Sequence, residues 1–122
     1  MLETESIVEF LDHRPLFPGH VLVIPREHVE TIVDLPATLT APFWDAVRGL
    51  ARAVEAALGA DGSFVAVNNR VSQSVPHLHV HVVPRRRGDG LRGFFWPRGR
   101  YAGPAEMEAM RRRIAAAVTA AG

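Results

Sequence analysis

In the segment "PHLHVHVVP", residues 76–84, His77, His79 and His81 alternate with Leu78, Val80 and Val82. An extended strand sends successive side chains to opposite faces, so the three imidazoles share one face and the three aliphatic side chains the other. One face is fit for burial and the other for chemistry. Three of the chain's six histidines stand on this one short segment, and neutral imidazole can serve as base, acid, metal ligand or nucleophile near neutral pH.

Three chemistries compete for such a face. Histidines can simply be packed and hydrogen-bonded, they can ligate zinc, copper or iron, or one of them can attack phosphorus. A catalytic metal is usually joined by a carboxylate or thiolate. Here the nearest acid after the motif is Asp89, beyond Arg85, Arg86 and Arg87; the preceding "NNRVSQSVP" offers only amides and hydroxyls, and the chain has no cysteine. Such surroundings suit an anion better than a cation, and no metal site is expected. A phosphoryl transition state needs donors to its nonbridging oxygens, for which Gln73, Ser74 and the neighbouring histidines are suited.

The elements that must position these residues follow from pattern. "SIVEFLD" and "HVLVIP" read as strands on either side of "HRPLFPG", whose prolines and glycine mark a loop. From residue 34 the period changes: Phe43, Val47, Leu50, Val54 and Leu58 form one helical stripe, with Gly59 just past its end. "SFVAVNN" and the histidine segment are two further strands. "RRRGDGLRGFFWPRGRYAGP" is a long loop, and "AEMEAMRRRIAAAVTAA" a C-terminal helix. The expected fold is α+β, a mainly antiparallel sheet of about five strands with one long central helix and a C-terminal helix.

Bulk properties set the frame. A chain of 122 residues with 48% hydrophobic content and a net charge of +1 fits one domain spanning residues 1–122, with no global field that would demand nucleic acid. The absence of cysteine suits a reducing compartment. The opening "MLETESIVEF" resembles neither a signal peptide nor a membrane span. A cytoplasmic, membrane-free protein is expected.

"HLHVHVV" matches the alternating pattern of the histidine triad superfamily, and "FLDHRPLFPGHVLVIPREH" resembles that family's upstream signature. What the resemblance implies is a small nucleotide hydrolase or nucleotidyl transferase acting at the α-phosphate. His79 would be the nucleophile of a covalent nucleotidyl-histidine. His77 would orient its surroundings through contact with the upstream His20, and His81 would contact phosphate and the leaving oxygen, where a proton must be supplied. The same resemblance assigns Asp12 to the ribose, Phe10 to the base, and Asn68, Gln73 and Ser74 to the sugar-phosphate. The chain departs from the common pattern between Asn68 and Gln73, where the usual glycines are missing and Arg70 is placed to narrow the phosphate path or hold extra phosphate charge.

No cofactor is required by this reading, a divalent cation entering only with a polyphosphate substrate. Dinucleoside polyphosphates are the expected class. The alternatives are nucleoside phosphoramidates and a nucleotide-binding regulatory protein with little turnover. The arginine-rich segment with Phe94, Phe95, Trp96 and Tyr101 reads as a solvated loop with packed aromatics or as a substrate-contacting flap. It has no recognised RNA-binding signature. Its exposed aromatics, and the pairing of relatives, point to a homodimer in which Trp96 approaches the partner's site.

Overall fold

The computed structural model describes residues 2–91 and 98–121. Its contacts gather into two compact units, Met1–Asp89 and Gly90–Gly122, where the sequence reading took residues 1–122 together.

The first unit is a five-stranded antiparallel sheet. Its strands are β1 (Leu2–Glu3), β2 (Ile7–Leu11), β3 (Val21–Pro25), β4 (Gly62–Ala66) and β5 (Val80–Arg85), in the spatial order β1-β2-β3-β5-β4. The α+β expectation holds, although β1 is only a two-residue edge strand. Helix α1 (Ala37–Leu58) links β3 to β4.

Register settles which side chains share a face. Phe10 pairs with Leu22 and Leu22 with His81, a row across β2, β3 and β5 on one face. The rows on either side of it, Val23 with Val80 and Val21 with Val82, belong to the opposite face. Ile7, Val21, Val23, Leu78, Val80 and Val82 are buried there with Phe43, Val47, Leu50 and Val54 of α1. β5 begins at Val80, which corrects the strand expected over residues 76–84: of the three histidines only His81 stands on it, while Leu78, just before it, is buried with Val80 and Val82. Phe43 is fully buried, and its truncation to alanine should cost about 3–5 kcal/mol.

Leu58, expected in the helical stripe, is instead 42% exposed. It is the last helical residue, and Gly59 ends α1 in the left-handed conformation, φ 61° and ψ 33°, with its amide on the Glu55 carbonyl. Leu58 lies against Gly19, where a β-carbon would collide with it and meet Pro84. Gly19 also has φ +97°, so the chain reaches His20 by a turn open only to glycine.

The second unit contains α2 (Pro104–Ala121). Met107, Met110, Ile114 and Val118 form an exposed apolar stripe at helical spacing. Glu108 pairs with Arg111 and Arg112 on the same helix.

Candidate active site

His20 is built into its loop before it meets the triad. The Asp12 amide donates to the His20 carbonyl (2.9 Å), and the His20 amide to the Phe17 carbonyl (3.0 Å). Within this closed loop the Leu16 amide donates to Nδ1 of the His20 ring at 3.0 Å, while the Arg14 amide donates to Asp12 Oδ1 at 2.9 Å. Pro15 and Pro18 bring no amide hydrogen that would need a partner. "HRPLFPGH" thus wraps its own histidine.

An amide can only donate, so the Leu16 contact assigns the lone pair to His20 Nδ1 and the proton to Nε2. That Nε2–H lies 2.9 Å from Nδ1 of His81 and donates to it. His81 in turn keeps its own proton on Nε2. The same logic applies to His79, whose Nδ1 lies 2.7 Å from the His77 carbonyl. The carbonyl accepts, so His79 bears Nδ1–H and presents a free lone pair at Nε2. His77 donates Nε2–H to the Pro25 carbonyl at 2.9 Å, and its Nδ1 lies 3.3 Å from Nδ1 of His28.

The partner of His20 is therefore His81, which corrects the expected contact with His77. Antiparallel pairing explains the exchange: each step forward on β3 is a step back on β5, and Leu22 faces His81. His20, just before β3, meets the late end of the triad. His77 falls at the other end of β3, beside Pro25 and His28.

A cleft of about 440 Å³ opens on this face, lined by Phe10, Leu11, Asp12, His13, Leu22, Ile24, Ser74, Val75, His77, His79 and His81. The fold brings Phe10, Asp12, Ser74 and the triad to one cavity, with His20 directly behind His81. Asn68, Arg70 and Gln73 are outside the lining, and Trp96 lies outside the described residues. Sequence reading missed Leu22, Ile24, Val75, His13 and His28. Leu22 and Ile24 had a signal, since they alternate with the buried Val21 and Val23 on β3 and share the face of Phe10.

Gln73 serves as a brace. Its side-chain nitrogen donates to the Glu30 carbonyl at 2.6 Å and its oxygen accepts from the Arg70 amide at 2.8 Å. Asn69 Oδ1 accepts from the Ile32 amide at 2.9 Å, and the Leu78 amide donates to the Val29 carbonyl at 2.7 Å. These bonds tie the segment before the triad to residues 29–32. Within it Arg70 and Ser72 adopt left-handed φ values of 70° and 61°. The backbone makes those turns without glycine, at about 1 kcal/mol or more per residue.

The acid-free neighbourhood read from sequence does not survive folding. Asp12 Oδ2 lies 3.8 Å from His20 Nε2, and ligand atoms of Asp12, His20 and His81 all lie within 4.8 Å of one another. Proximity in space replaces distance in sequence. Yet the Leu16 amide keeps the His20 proton on Nε2, the atom a cation would need bare, so the donor set does not fit a metal as arranged. Asp89, the acid nearest in sequence, is held by Arg85 at 2.6 and 3.0 Å.

Burial lowers the pKa of His20 below the ordinary histidine value, opposed by the Asp12 carboxylate. Burial does the same for His81, reinforced by His79 and His20 and again opposed by Asp12. Both rings are thereby held in the neutral form that their hydrogen bonds require.

Residues 1–88 match the HIT domain family. The chain is similar to the asymmetrical bis(5'-nucleosyl)-tetraphosphatase of Schizosaccharomyces pombe, with 34% identity over 88 residues, 70% of this chain and 48% of that protein. It is also similar to the bifunctional bis(5'-adenosyl)-triphosphatase/adenylylsulfatase of Arabidopsis thaliana, with 37% identity over 78 residues, 62% of this chain and 43% of that protein. It thus aligns with less than half the length of either relative. A crystal structure of a HIT family protein from Bacillus subtilis superposes with a TM-score of 0.81 at 32% identity, covering 94% of this chain and 84% of that one. No helix among the described residues is long and apolar enough to cross a membrane.

Proposed function

This chain belongs to the HIT domain family, and from that premise we propose that it is a nucleotide hydrolase working through a covalent nucleotidyl-histidine on His79. The observation that supports this reading most directly is the bond from His79 Nδ1–H to the His77 carbonyl. It leaves the Nε2 lone pair free in a cleft that also holds a carboxylate, a hydroxyl and an apolar wall. Neutral imidazole with one nitrogen anchored is a competent nucleophile at phosphorus.

The base lies against Phe10, Leu22 and Ile24, and the ribose hydroxyls donate to Asp12. The α-phosphate then sits over His79. Ser74 and His81 Nε2–H donate to its nonbridging and leaving oxygens, where charge grows in the transition state. The substrate class is nucleoside phosphoanhydrides, dinucleoside polyphosphates among them, in keeping with the activities in the two relatives' names. Metal is not part of the covalent step; a divalent cation enters with the polyphosphate. The partner is a second copy of the chain, which would cover the exposed apolar stripe of α2.

The test is to trap the intermediate. Incubation with an α-labelled dinucleoside polyphosphate in EDTA, followed by rapid denaturation and peptide mapping, should place label on the peptide bearing His79. His79→Ala should take up none. Labelling that needs added zinc, or a fully active His79→Ala protein, would overturn the mechanism. Sedimentation of a fully active monomer at micromolar concentration would overturn the dimer.

A further inference from the structure

We propose that Gln73 is a positioning residue: it holds the strained turns at Arg70 and Ser72 in place and so fixes where Ser74 stands in the cleft. This rests on the nucleotidyl-histidine reading, in which Ser74 donates to the phosphate. It gives Gln73 a part in the reaction without contact with the substrate.

The stretch before the triad is stitched to residues 29–32 in antiparallel order. Asn69 Oδ1 accepts from the Ile32 amide, Gln73 Nε2 donates to the Glu30 carbonyl, and the Leu78 amide donates to the Val29 carbonyl. Numbers rise on one side as they fall on the other, as in a ladder, yet the rungs at Asn69 and Gln73 are side chains. Side chains take that part because a left-handed residue turns the backbone out of the extended line, and Arg70 and Ser72 have φ of 70° and 61°. The opposite rail is firm: Val29 and Thr31 are buried, and the Thr31 amide and hydroxyl both donate to Asp34. Glu30, between them, offers a fixed carbonyl.

Only one orientation of the Gln73 amide group satisfies both neighbours. The Arg70 N–H can only donate, so Oε1 faces it at 2.8 Å; the Glu30 carbonyl can only accept, so Nε2 faces that at 2.6 Å. Turning Gln73 towards a phosphate would break both bonds at once. Left-handed residues other than glycine persist where the surroundings over-determine them, and Gln73 holds the Arg70 amide directly. Ser74 and Val75, which follow, line the cleft. They stand on a short bridge with an anchor at either end, Gln73 on the Glu30 carbonyl and Leu78 on the Val29 carbonyl. Without Gln73 the turns at Arg70 and Ser72 are free to relax, and Ser74 hangs from one side only.

A double-substitution cycle on the intact protein decides it, with turnover of a dinucleoside polyphosphate as the readout and circular dichroism checking that folded fractions are equal. Ser74→Ala should lower kcat about a hundredfold, the cost of one donor to the transition state. Gln73→Ala should lower kcat about tenfold with KM little changed, as for a catalytic group slightly displaced. Combined, they should cost no more than Ser74→Ala alone, because Gln73 then has nothing to position. Losses that multiply would show Gln73 acting on the substrate itself and overturn the proposal, as would a wild-type rate in either single variant. Arg70→Gly with Ser72→Gly removes the strain and should restore most of the rate lost in Gln73→Ala; no recovery overturns the part given to the strained turns. Amide hydrogen exchange, which needs no turnover, should be about tenfold or more faster at Arg70 in Gln73→Ala than in wild type. Equal exchange overturns the brace. If wild type itself neither turns over nor forms nucleotidyl-His79, the hydrolase reading falls and the positioning of Ser74 with it, while the exchange still judges the brace.

Discussion

Two histidine pairs flank the triad with the same ring separation, 5.1 Å, in different surroundings. His20–His81 is partly buried, with the rings tilted at 50° and a nitrogen–nitrogen distance of 2.9 Å. His28–His77 is exposed, edge-on at 78° and longer, at 3.3 Å. In both, the triad histidine accepts at Nδ1, and what differs is the fate of its Nε2–H. His77 spends that hydrogen on the Pro25 carbonyl, whereas His81 holds it towards the cleft. Equal spacing therefore does not make equal function; the backbone group at the far end of each chain of bonds decides whether a ring is a strap or a reagent.

The largest effect tests the residue between the pairs. His79→Ala should lower turnover by about four orders of magnitude or more, as for a lost nucleophile, with the fold retained by circular dichroism. Activity within tenfold of wild type would leave both pairs without a reaction to serve.

His81→Ala comes next, with a loss in kcat of roughly 10²–10³, the cost of one oxyanion donor. His20→Ala should lose less, about tenfold, because it acts through His81. Should His77→Ala prove as damaging to kcat as His81→Ala at equal folded fraction, the distinction between the pairs fails. The expectation for His77→Ala is a stability loss of about 1 kcal/mol from the hydrogen bond to Pro25, since the carbonyl that holds His79 belongs to the backbone and survives the substitution.

Acid should act on the buried pair through stability. Burial holds the folded pKa of His20 and of His81 below the unfolded value, so near and below about 6.5 the unfolded chain binds protons that the folded chain does not. The stabilisation is complete above that value and is lost as pH falls through the folded pKa. Glu9, whose carboxyl burial raises, works in the opposite sense. The useful quantity is thus the difference in urea midpoint between wild type and His20→Gln, which should shrink from pH 7.5 to pH 5. A constant difference would mean that the buried pair is not proton-linked.

His28→Ala should give the smallest effect, within about 0.5 kcal/mol in stability and with little change in kcat. A loss of kcat comparable to that of His20→Ala would show that the exposed pair is more than a strap.

The contrast between the pairs also marks where reading the sequence stopped. The alternation of His77, His79 and His81 with Leu78, Val80 and Val82 is local, and it assigns the buried side correctly although only His81 of the three histidines stands on β5 itself. Phe43, Val47, Leu50 and Val54 identify the buried side of α1 by the same kind of argument, and Gly59 its end. These rules concern neighbours along one chain segment, so they were legible before any fold was known. The upstream motif likewise pointed to His20 and Asp12 as members of the site.

What lay beyond reach depended on register and loop closure. Whether His20 meets His77 or His81 is decided by how β3 pairs with β5, and a shift of that pairing would change the answer without altering a residue. Asp12 joins the histidines only because the loop from residue 12 to 20 closes on itself. Gln73, Asn69 and the Leu16 amide have roles set by groups that folding alone brings to them. The sequence determined by itself which residue types face outward together and that an imidazole face lies opposite an apolar core. Tertiary structure decided each ring's tautomer, because a proton's place on an imidazole depends on the group opposite it, and that group comes from another part of the chain.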